Sequence, residues 1–259
     1  MTSESKSIFI IGGGTGIGFE AVKYIVAEGS QSTKLVVFGL QIDDELQSLA
    51  TKHSERIWLI KGDVTDAAER EKAFQTCLAQ MGGIDTLVYT AGILAPIERI
   101  EKISIDDVKR VFEVNLFSTM VVCQQALPYL HRSKEAKVII LSSACDSSVI
   151  YNGWVSYCTS KAALSQFVRL LAHEEPNICV QGVYPHLTGT QMPADIFAGK
   201  FKGIMADSEI EKFKNWEKQG DVIEPAAWCG VTVAKLALGV AKGGKSGEIL
   251  YHDEHVPRV

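Results

Sequence analysis

Ser7-Ile8-Phe9-Ile10-Ile11-Gly12-Gly13-Gly14-Thr15-Gly16-Ile17-Gly18-Phe19 is an apolar run that breaks into five glycines and re-emerges as an amphipathic segment. Ile8–Ile11 reads as a buried strand and 16–28 as the helix that follows it. Glycines between them let the chain turn sharply and let backbone N–H groups approach a pyrophosphate. A helix opening at Gly16 adds its positive dipole end to the same spot. A glycine-rich turn without a ligand has the same composition, but this one stands after the first strand and before the first helix, as a nucleotide loop must. Gly12, Thr15, Gly16, Ile17 and Gly18 are therefore dinucleotide-binding candidates.

The strand–helix rhythm continues outward. Strands are expected at Ser7–Ile11, Lys34–Phe38, Arg56–Ile60, Ile84–Tyr89, Lys137–Leu141, Ile178–Val183 and near Glu248–Leu250, with helices at 16–28, 43–53, 66–80, 105–131 and 155–173. Several strands are rich in Val and Ile without strict alternation, as parallel strands covered on both faces are. The prediction is one doubly wound α/β domain of Rossmann type, residues 1–259, with a parallel seven-stranded sheet and helices on both faces. After Val183 the rhythm breaks. Residues 184–207 carry Pro185, Gly189, Pro193, Gly199 and Gly203, and helical stretches follow at about 208–218 and 225–239. A long irregular stretch of this kind is commonly a binding loop, so 184–218 is expected to cover a substrate.

Composition narrows the class. The chain has 259 residues, 46% hydrophobic and 22% charged, which suffices for a core without disulfides or metal. A net charge of −5 offers no footprint for nucleic acid or anionic lipid. Six scattered cysteines without a C-x-x-C pair point to reduced thiols. No apolar stretch approaches the roughly 20 residues of a membrane span, and the first residues lack a signal-peptide pattern. A soluble cytoplasmic protein is expected. His252-Asp253-Glu254-His255 invites a metal reading, but neighbours on a tail rarely converge on one ion, so a solvated tail and no metal are expected. Asp43-Asp44-Glu45 is explained by the dipole of the helix it opens.

The spacing G-x-x-x-G-x-G, at Gly12, Gly16 and Gly18, resembles that of the short-chain dehydrogenase/reductase family, and the likeness continues along the chain. Gly62-Asp63-Val64-Thr65-Asp66 resembles the family's adenine-contacting segment, and Thr90-Ala91-Gly92 its Asn-Ala-Gly stretch. Asn115 stands at its catalytic asparagine, Leu141-Ser142-Ser143 resembles its serine segment, and Tyr157-Cys158-Thr159-Ser160-Lys161 is a complete Y-x-x-x-K. Pro185 and Thr190, with Leu187 between them, resemble its nicotinamide segment. Trp154–Leu164 and Lys235-Leu236-Ala237-Leu238 resemble the benzil-reductase and sepiapterin-reductase-like branch.

The resemblance implies NAD(P)-dependent carbonyl chemistry with Asn115, Ser143, Tyr157 and Lys161 as the catalytic set. It also implies a cofactor shell of Gly12, Thr15, Gly16, Ile17, Gly18, Gly39, Asp63, Val64, Thr90, Ala91, Gly92, Tyr157, Lys161, Pro185, Leu187 and Thr190. Tyr157 and Lys161, four apart on a helix, leave the same face. A lysine ammonium lowers the phenol's pKa, and a tuned phenol protonates a carbonyl oxygen while hydride reaches its carbon. Ser143 would hold that oxygen, Lys161 the nicotinamide ribose, and Asn115 a water leading from Lys161 to solvent. Such a Tyr–Lys pair is otherwise a common surface packing pair. Dimers or tetramers through the helices near 105–131 and 155–173 are implied as well, although core burial explains the same apolar spacing. An isomerase or cyclase, or a regulatory nucleotide-binding protein, could retain this framework.

Four departures from the family pattern matter. Ser143 lies fourteen residues before Tyr157 rather than thirteen, where Ala144 stands; an insertion within 146–152 would keep Ser143 in place, with Ser142 a strand-end residue. His186 replaces a glycine and either projects into the cleft or is a solvated loop histidine. Ile11 and Thr90 replace a threonine and an asparagine, so a polar link across the sheet is expected to become hydrophobic packing. Gly39 stands where an acid would accept the ribose of NAD, which favours NADP(H) and leaves NAD(H) open, because Thr15, Leu40, Gln41 and Ile42 offer no cation to a 2′-phosphate. Ser143, Trp154, His186 and Met192 are the leading substrate-facing candidates. Ile93, Leu94, Tyr151 and Phe197 accompany them, and Phe213 and Trp216 read first as core. An apolar aromatic wall of this kind suits a bulky ketone or diketone. Cys145 and Cys158 are expected to be packing residues.

Overall fold

Strand β1 (Ser7–Ile11) occupies the middle of the sheet because both its faces are apolar: Phe9 and Ile11 join one buried cluster, Ile8 and Ile10 another. The computed structural model describes residues 5–220 and 222–257, with the side chains of 191–193 outside that description. Seven parallel strands are arranged in the order β3-β2-β1-β4-β5-β6-β9, namely Ile57–Lys61, Lys34–Gly39, Ser7–Ile11, Thr86–Tyr89, Lys137–Leu141, Cys179–Tyr184 and Ile249–Tyr251. The one-residue offset between the two clusters is the pleat itself, and it explains the unbroken apolar strands.

One face is covered by α1 (Gly16–Glu28), α2 (Asp44–Lys52) and α9 (Ala226–Leu238); the other by α3 (Ala67–Met81), α4 (Ile105–Phe112), α5 (Ser118–Leu130) and α6 (Val155–Glu174). Asp43, Asp66 and Ser104 accept backbone N–H groups at the starts of α2, α3 and α4. Such caps add about 1 kcal/mol each. Asp43 is thus a cap as well as a dipole partner. The expected helix 105–131 contains a π-helical segment, Glu113–Phe117, with Asn115 at its centre. A widened turn is invisible to apolar periodicity and often marks a functional position.

The stretch after β6 is more ordered than expected. A two-residue parallel ladder joins β7 (Thr188–Gly189) to β8 (Glu224–Pro225), and α7 (Gln191–Phe197) precedes α8 (Asp207–Gln219). Pro193 and Gly199 concealed α7 from the sequence pattern, although proline is tolerated in a first helical turn. The solvated-tail expectation is corrected too. Strand β9 leads directly into α10 (His252–His255), with His252 1% and His255 5% exposed. Gln181 and the main chain of Gly182 and Gly244 draw this turn under the sheet edge. Among the described residues, no helix is long and apolar enough to cross a membrane.

Candidate active site

The strand order reverses direction between β1 and β4, and a ligand crevice is expected at the carboxyl ends of strands flanking such a point. A cleft of about 980 Å³ lies there. Its lining draws on the turns after β1 to β6 and includes Gly12, Thr15, Gly16, Ile17, Gly18, Gly39, Asp63, Val64, Thr90, Ala91, Gly92, Pro185, Leu187 and Thr190. One structural surface therefore collects every cofactor-binding candidate.

Two glycines make the nucleotide end possible. Gly12 has φ of +80°, and a Cβ on it would stand 2.5 Å from the Ala91 nitrogen. A Cβ on Gly18 would stand 2.4 Å from the Gly12 oxygen and 2.5 Å from Thr90 Oγ1. Thr15 makes no side-chain cap at the start of α1, so the first-turn N–H groups are not consumed by a capping hydroxyl. These features fit a dinucleotide pyrophosphate. Asp63 turns its Oδ1 back to Thr65, accepting from N and Oγ1 at 2.8 Å each, which shapes the turn after β3.

The expected hydrophobic replacement of the sheet link is corrected. Thr90 Oγ1 donates to the Ile11 carbonyl at 2.9 Å, beside the backbone bond from Thr90 N to the same oxygen at 2.8 Å. A main-chain acceptor replaces the missing side chain of position 11.

At the chemical end, Tyr157 is 6%, Lys161 4% and Ser143 9% exposed, and all three line the cleft. Ser143 stands beside the Tyr157 phenol and accepts the Cys145 N–H at 3.2 Å. Ser142 instead pairs with Ser165, Oγ to Oγ, at 2.7 Å, a structural link behind the strand end. Between Ser143 and Tyr157 the chain makes a short 3₁₀ turn, Ala144–Asp146. Lys161 Nζ donates to the Leu141 carbonyl at 3.1 Å and lies 5.8 Å from the Tyr157 ring centre.

The electrostatics differ from expectation. Burial pushes the Tyr157 phenol well above its ordinary range, the nearby Cys145 adds to this, and the neighbouring Ser143 hydroxyl opposes it. Burial also draws Lys161 down to about 8. Desolvation is the largest cause for both groups, because both are buried at the cleft floor. Cys145 is not simply a packing residue: it lines the cleft, and hydrogen bonds from Cys158 and Ser143 pull its thiol down against burial.

Asn115 is fully buried and is not part of the cleft lining. Its Oδ1 accepts the Ile93 N–H at 2.8 Å, and its Nδ2 donates to the Ile93 carbonyl at 2.9 Å and to Ser160 Oγ at 3.0 Å. The amide therefore fixes the loop that carries Gly92 against the helix that carries Lys161.

Aromatic side chains wall the substrate end. Trp154 packs 4.8 Å from Tyr151, 5.7 Å from Tyr157 and 6.2 Å from Phe213, ring centre to centre. Ile93, Leu94, Tyr151, Trp154, Phe213 and Trp216 all line the cleft, so Phe213 is both satellite core and wall. Phe197 stands behind, 6.3 Å from Phe213. Met192 lies outside the described side chains. His186 reaches the cleft but is not a solvated loop histidine: its ring stacks on Tyr251 at 4.4 Å and 8°, and Nε2 meets Asp253 Oδ1 at 3.1 Å. Tyr251, Ile196 and Phe201 are lining residues that the sequence reading missed. Tyr251 is placed only by the β6–β9 register, which sets it beside Tyr184.

A family model described as short chain dehydrogenase matches residues 6–200, and the chain belongs to that family. It is 29% identical over 259 residues to a benzil reductase ((S)-benzoin forming) of Saccharomyces cerevisiae, with 97% of each chain covered. It is 31% identical over 205 residues to a 1,2-dihydroxy-1,2-dihydronaphthalene dehydrogenase of Ralstonia sp., covering 77% of this chain and 76% of that protein. Among solved structures, the KRED1-Pglu enzyme superposes with a TM-score of 0.82 at 32% identity, covering 89% of this chain and 94% of the other. A short chain dehydrogenase/reductase from Saccharomyces cerevisiae gives a TM-score of 0.85 at 26% identity, with 95% of each covered. The benzil-reductase-like branch is thereby supported, and the protein is an oxidoreductase of carbonyl–alcohol type from a family that uses NAD(P).

Proposed function

We propose that this protein reduces a bulky ketone or 1,2-dicarbonyl with NADPH, Tyr157 acting as general acid. The observation that carries the reading is the convergence of buried Ser143, Tyr157 and Lys161 on one aromatic-walled cleft, with Lys161 Nζ 5.8 Å from the Tyr157 ring centre. The dinucleotide, when bound, supplies hydride to the carbonyl carbon. Gly12, Gly16 and Gly18 would admit its pyrophosphate with Thr15 and Ile17, while Asp63 and Val64 flank the adenine. Thr90, Ala91, Gly92, Pro185, Leu187 and Thr190 would hold the nicotinamide half.

Ser143 directs the carbonyl oxygen toward Tyr157, and the phenol gives it a proton. A phenol raised by burial is fully protonated at neutral pH, the state a reductase needs. Lys161 stabilises the phenolate left behind and returns a proton to it. Asn115 acts at one remove, by holding the Ile93 loop and the Lys161 helix in register.

The substrate class is supported by the aromatic wall and by relatives named benzil reductases. Trp154 and His186 would contact the guest, with Met192 a further candidate. NADPH is favoured because β2 ends in Gly39 and continues as Leu40 and Gln41, with no acid to repel a 2′-phosphate. The unpaired cysteines suit a reduced, cytoplasmic setting. Partly exposed Phe117 and Leu170, in the two helical stretches expected to pair, suit a homodimer or homotetramer.

NADPH consumption with a panel of aromatic diketones and quinones tests the reading. Wild type should turn over at least one diketone, and Tyr157→Phe should lose at least about a hundredfold in kcat, as loss of acid catalysis does. Equal rates would remove Tyr157 from the mechanism.

A further inference from the structure

We infer that the His186, His252 and Asp253 side chains form a binding site for one divalent transition-metal ion such as Zn²⁺, with Glu224 holding the His252 ring by a hydrogen bond. One ligand atom each from His186, His252 and Asp253 lies within 4.8 Å of the others. His186 Nε2 is 3.1 Å from Asp253 Oδ1, and His252 Nε2 is 2.7 Å from Glu224 Oε2. A tetrahedral zinc ion, with bonds of about 2.0–2.2 Å, separates its ligand atoms by about 3.3 Å, so small side-chain movements suffice.

The donors come from two parts of the chain that share no local sequence, the turn after β6 and α10, and the two-residue strand β8 supplies Glu224 as the partner of His252. This scaffold is what the tail sequence lacked when read alone. The first imidazole is already oriented, stacked on Tyr251, and the rings of His186 and His252 stand edge to face at 5.3 Å. Charge points the same way. The Asp253 and Glu224 carboxylates place formal negative charge beside the two imidazoles, and the Glu224 side chain is 12% and the His252 side chain 1% exposed. A divalent cation neutralises that charge where water can do so only in part. Two imidazoles with carboxylate oxygens suit zinc and the neighbouring first-row ions better than magnesium or calcium. An ion here would tie the His186 loop, at the nicotinamide end of the cleft, to the last turn of the chain. The site shares His186 with the cleft wall but includes neither Tyr157 nor Lys161.

The test uses the full chain, stripped with a chelator and titrated with Co²⁺ as a visible probe and then with Zn²⁺. The expected result is one equivalent of Co²⁺ with the intense d–d absorption of a four-coordinate site, displaced by Zn²⁺. His186→Ala and Asp253→Asn should each weaken binding at least about tenfold, since even outer partners of a metal contribute that much. Zn²⁺ should also raise the melting temperature of the wild type and not of Asp253→Asn. Should His186→Ala fail to fold, Asp253→Asn, whose carboxylate is 38% exposed, carries the comparison. Absence of stoichiometric binding, equal affinity in wild type and variants, or a thiolate-to-cobalt charge-transfer band from the cysteines would overturn the assignment.

Discussion

The carboxamide of Asn115 clasps both backbone polar groups of Ile93, accepting its N–H at 2.8 Å and donating to its carbonyl at 2.9 Å. This clasp, inside a π-helical turn, fixes the cleft wall that starts at Gly92. Asn115→Ala leaves both backbone groups without that partner, a loss of about 1–3 kcal/mol. The melting temperature should fall, and kcat should drop more than KM rises because the reacting groups lose register. Paired thermal and steady-state measurements check this; unchanged kcat with a lowered melting temperature would reduce Asn115 to a stability residue.

Lys161 makes the proposed reduction pH-dependent. Its pKa is drawn down to about 8 by burial, so its positive charge is present below that pH and lost above it. Reduction leaves a phenolate on Tyr157 that the ammonium stabilises. The rate of reduction should therefore fall as pH rises through about 8. A kcat/KM profile between pH 6 and 10 measures it, and Lys161→Met should abolish the break together with most of the rate.

Stability should weaken in mild acid through His255. Its Nδ1 accepts the Gly244 N–H at 3.0 Å and its Nε2 faces the Gly182 carbonyl at 2.8 Å, which assigns the neutral Nε2–H tautomer. Burial lowers its folded pKa below the ordinary 6.5. The unfolded chain then binds the proton first, so stability is complete above about pH 6.5 and is lost as pH falls through the folded value. Melting curves from pH 7.5 to 5 should show this decline, and His255→Gln should flatten it while lowering the plateau.

Cofactor choice is testable at Gly39. A Cβ there meets only Gln41 O at 3.4 Å and Gly14 at 3.5 Å, so an acid is accommodated. Gly39→Asp would face the ribose end of the cleft, where like charges repel a 2′-phosphate. The ratio of kcat/KM for NADPH over NADH should fall at least about tenfold, a modest share of what juxtaposed like charges cost. A wild type that already prefers NADH would contradict the reading of Gly39.

Much of this was legible in the residues. Strand and helix periodicity, the glycine loop and the Tyr157–Lys161 spacing all depend on neighbours within a few positions, and so a linear pattern carries them. The fate of Thr90 was misread because its partner is the main-chain oxygen of Ile11, and a carbonyl has no letter in the sequence. Helix α7 was missed because Pro193 and Gly199 look like breakers, although a proline near a helix start costs little. The raised phenol of Tyr157 was misjudged because adjacency to Lys161 is a sequence fact and dryness is not.

By itself the sequence determined the doubly wound sheet, the nucleotide cradle and the helix face shared by Tyr157 and Lys161, since local periodicity and glycine's freedom at Gly12 specify them. Only the tertiary structure decided that Asn115 grips Ile93, that Ser142 pairs with Ser165, and that His252 is buried beside Glu224 and His186. These are contacts between segments far apart in the chain. Strand order and the desolvation of each group set them, and neither quantity is a property of any short stretch.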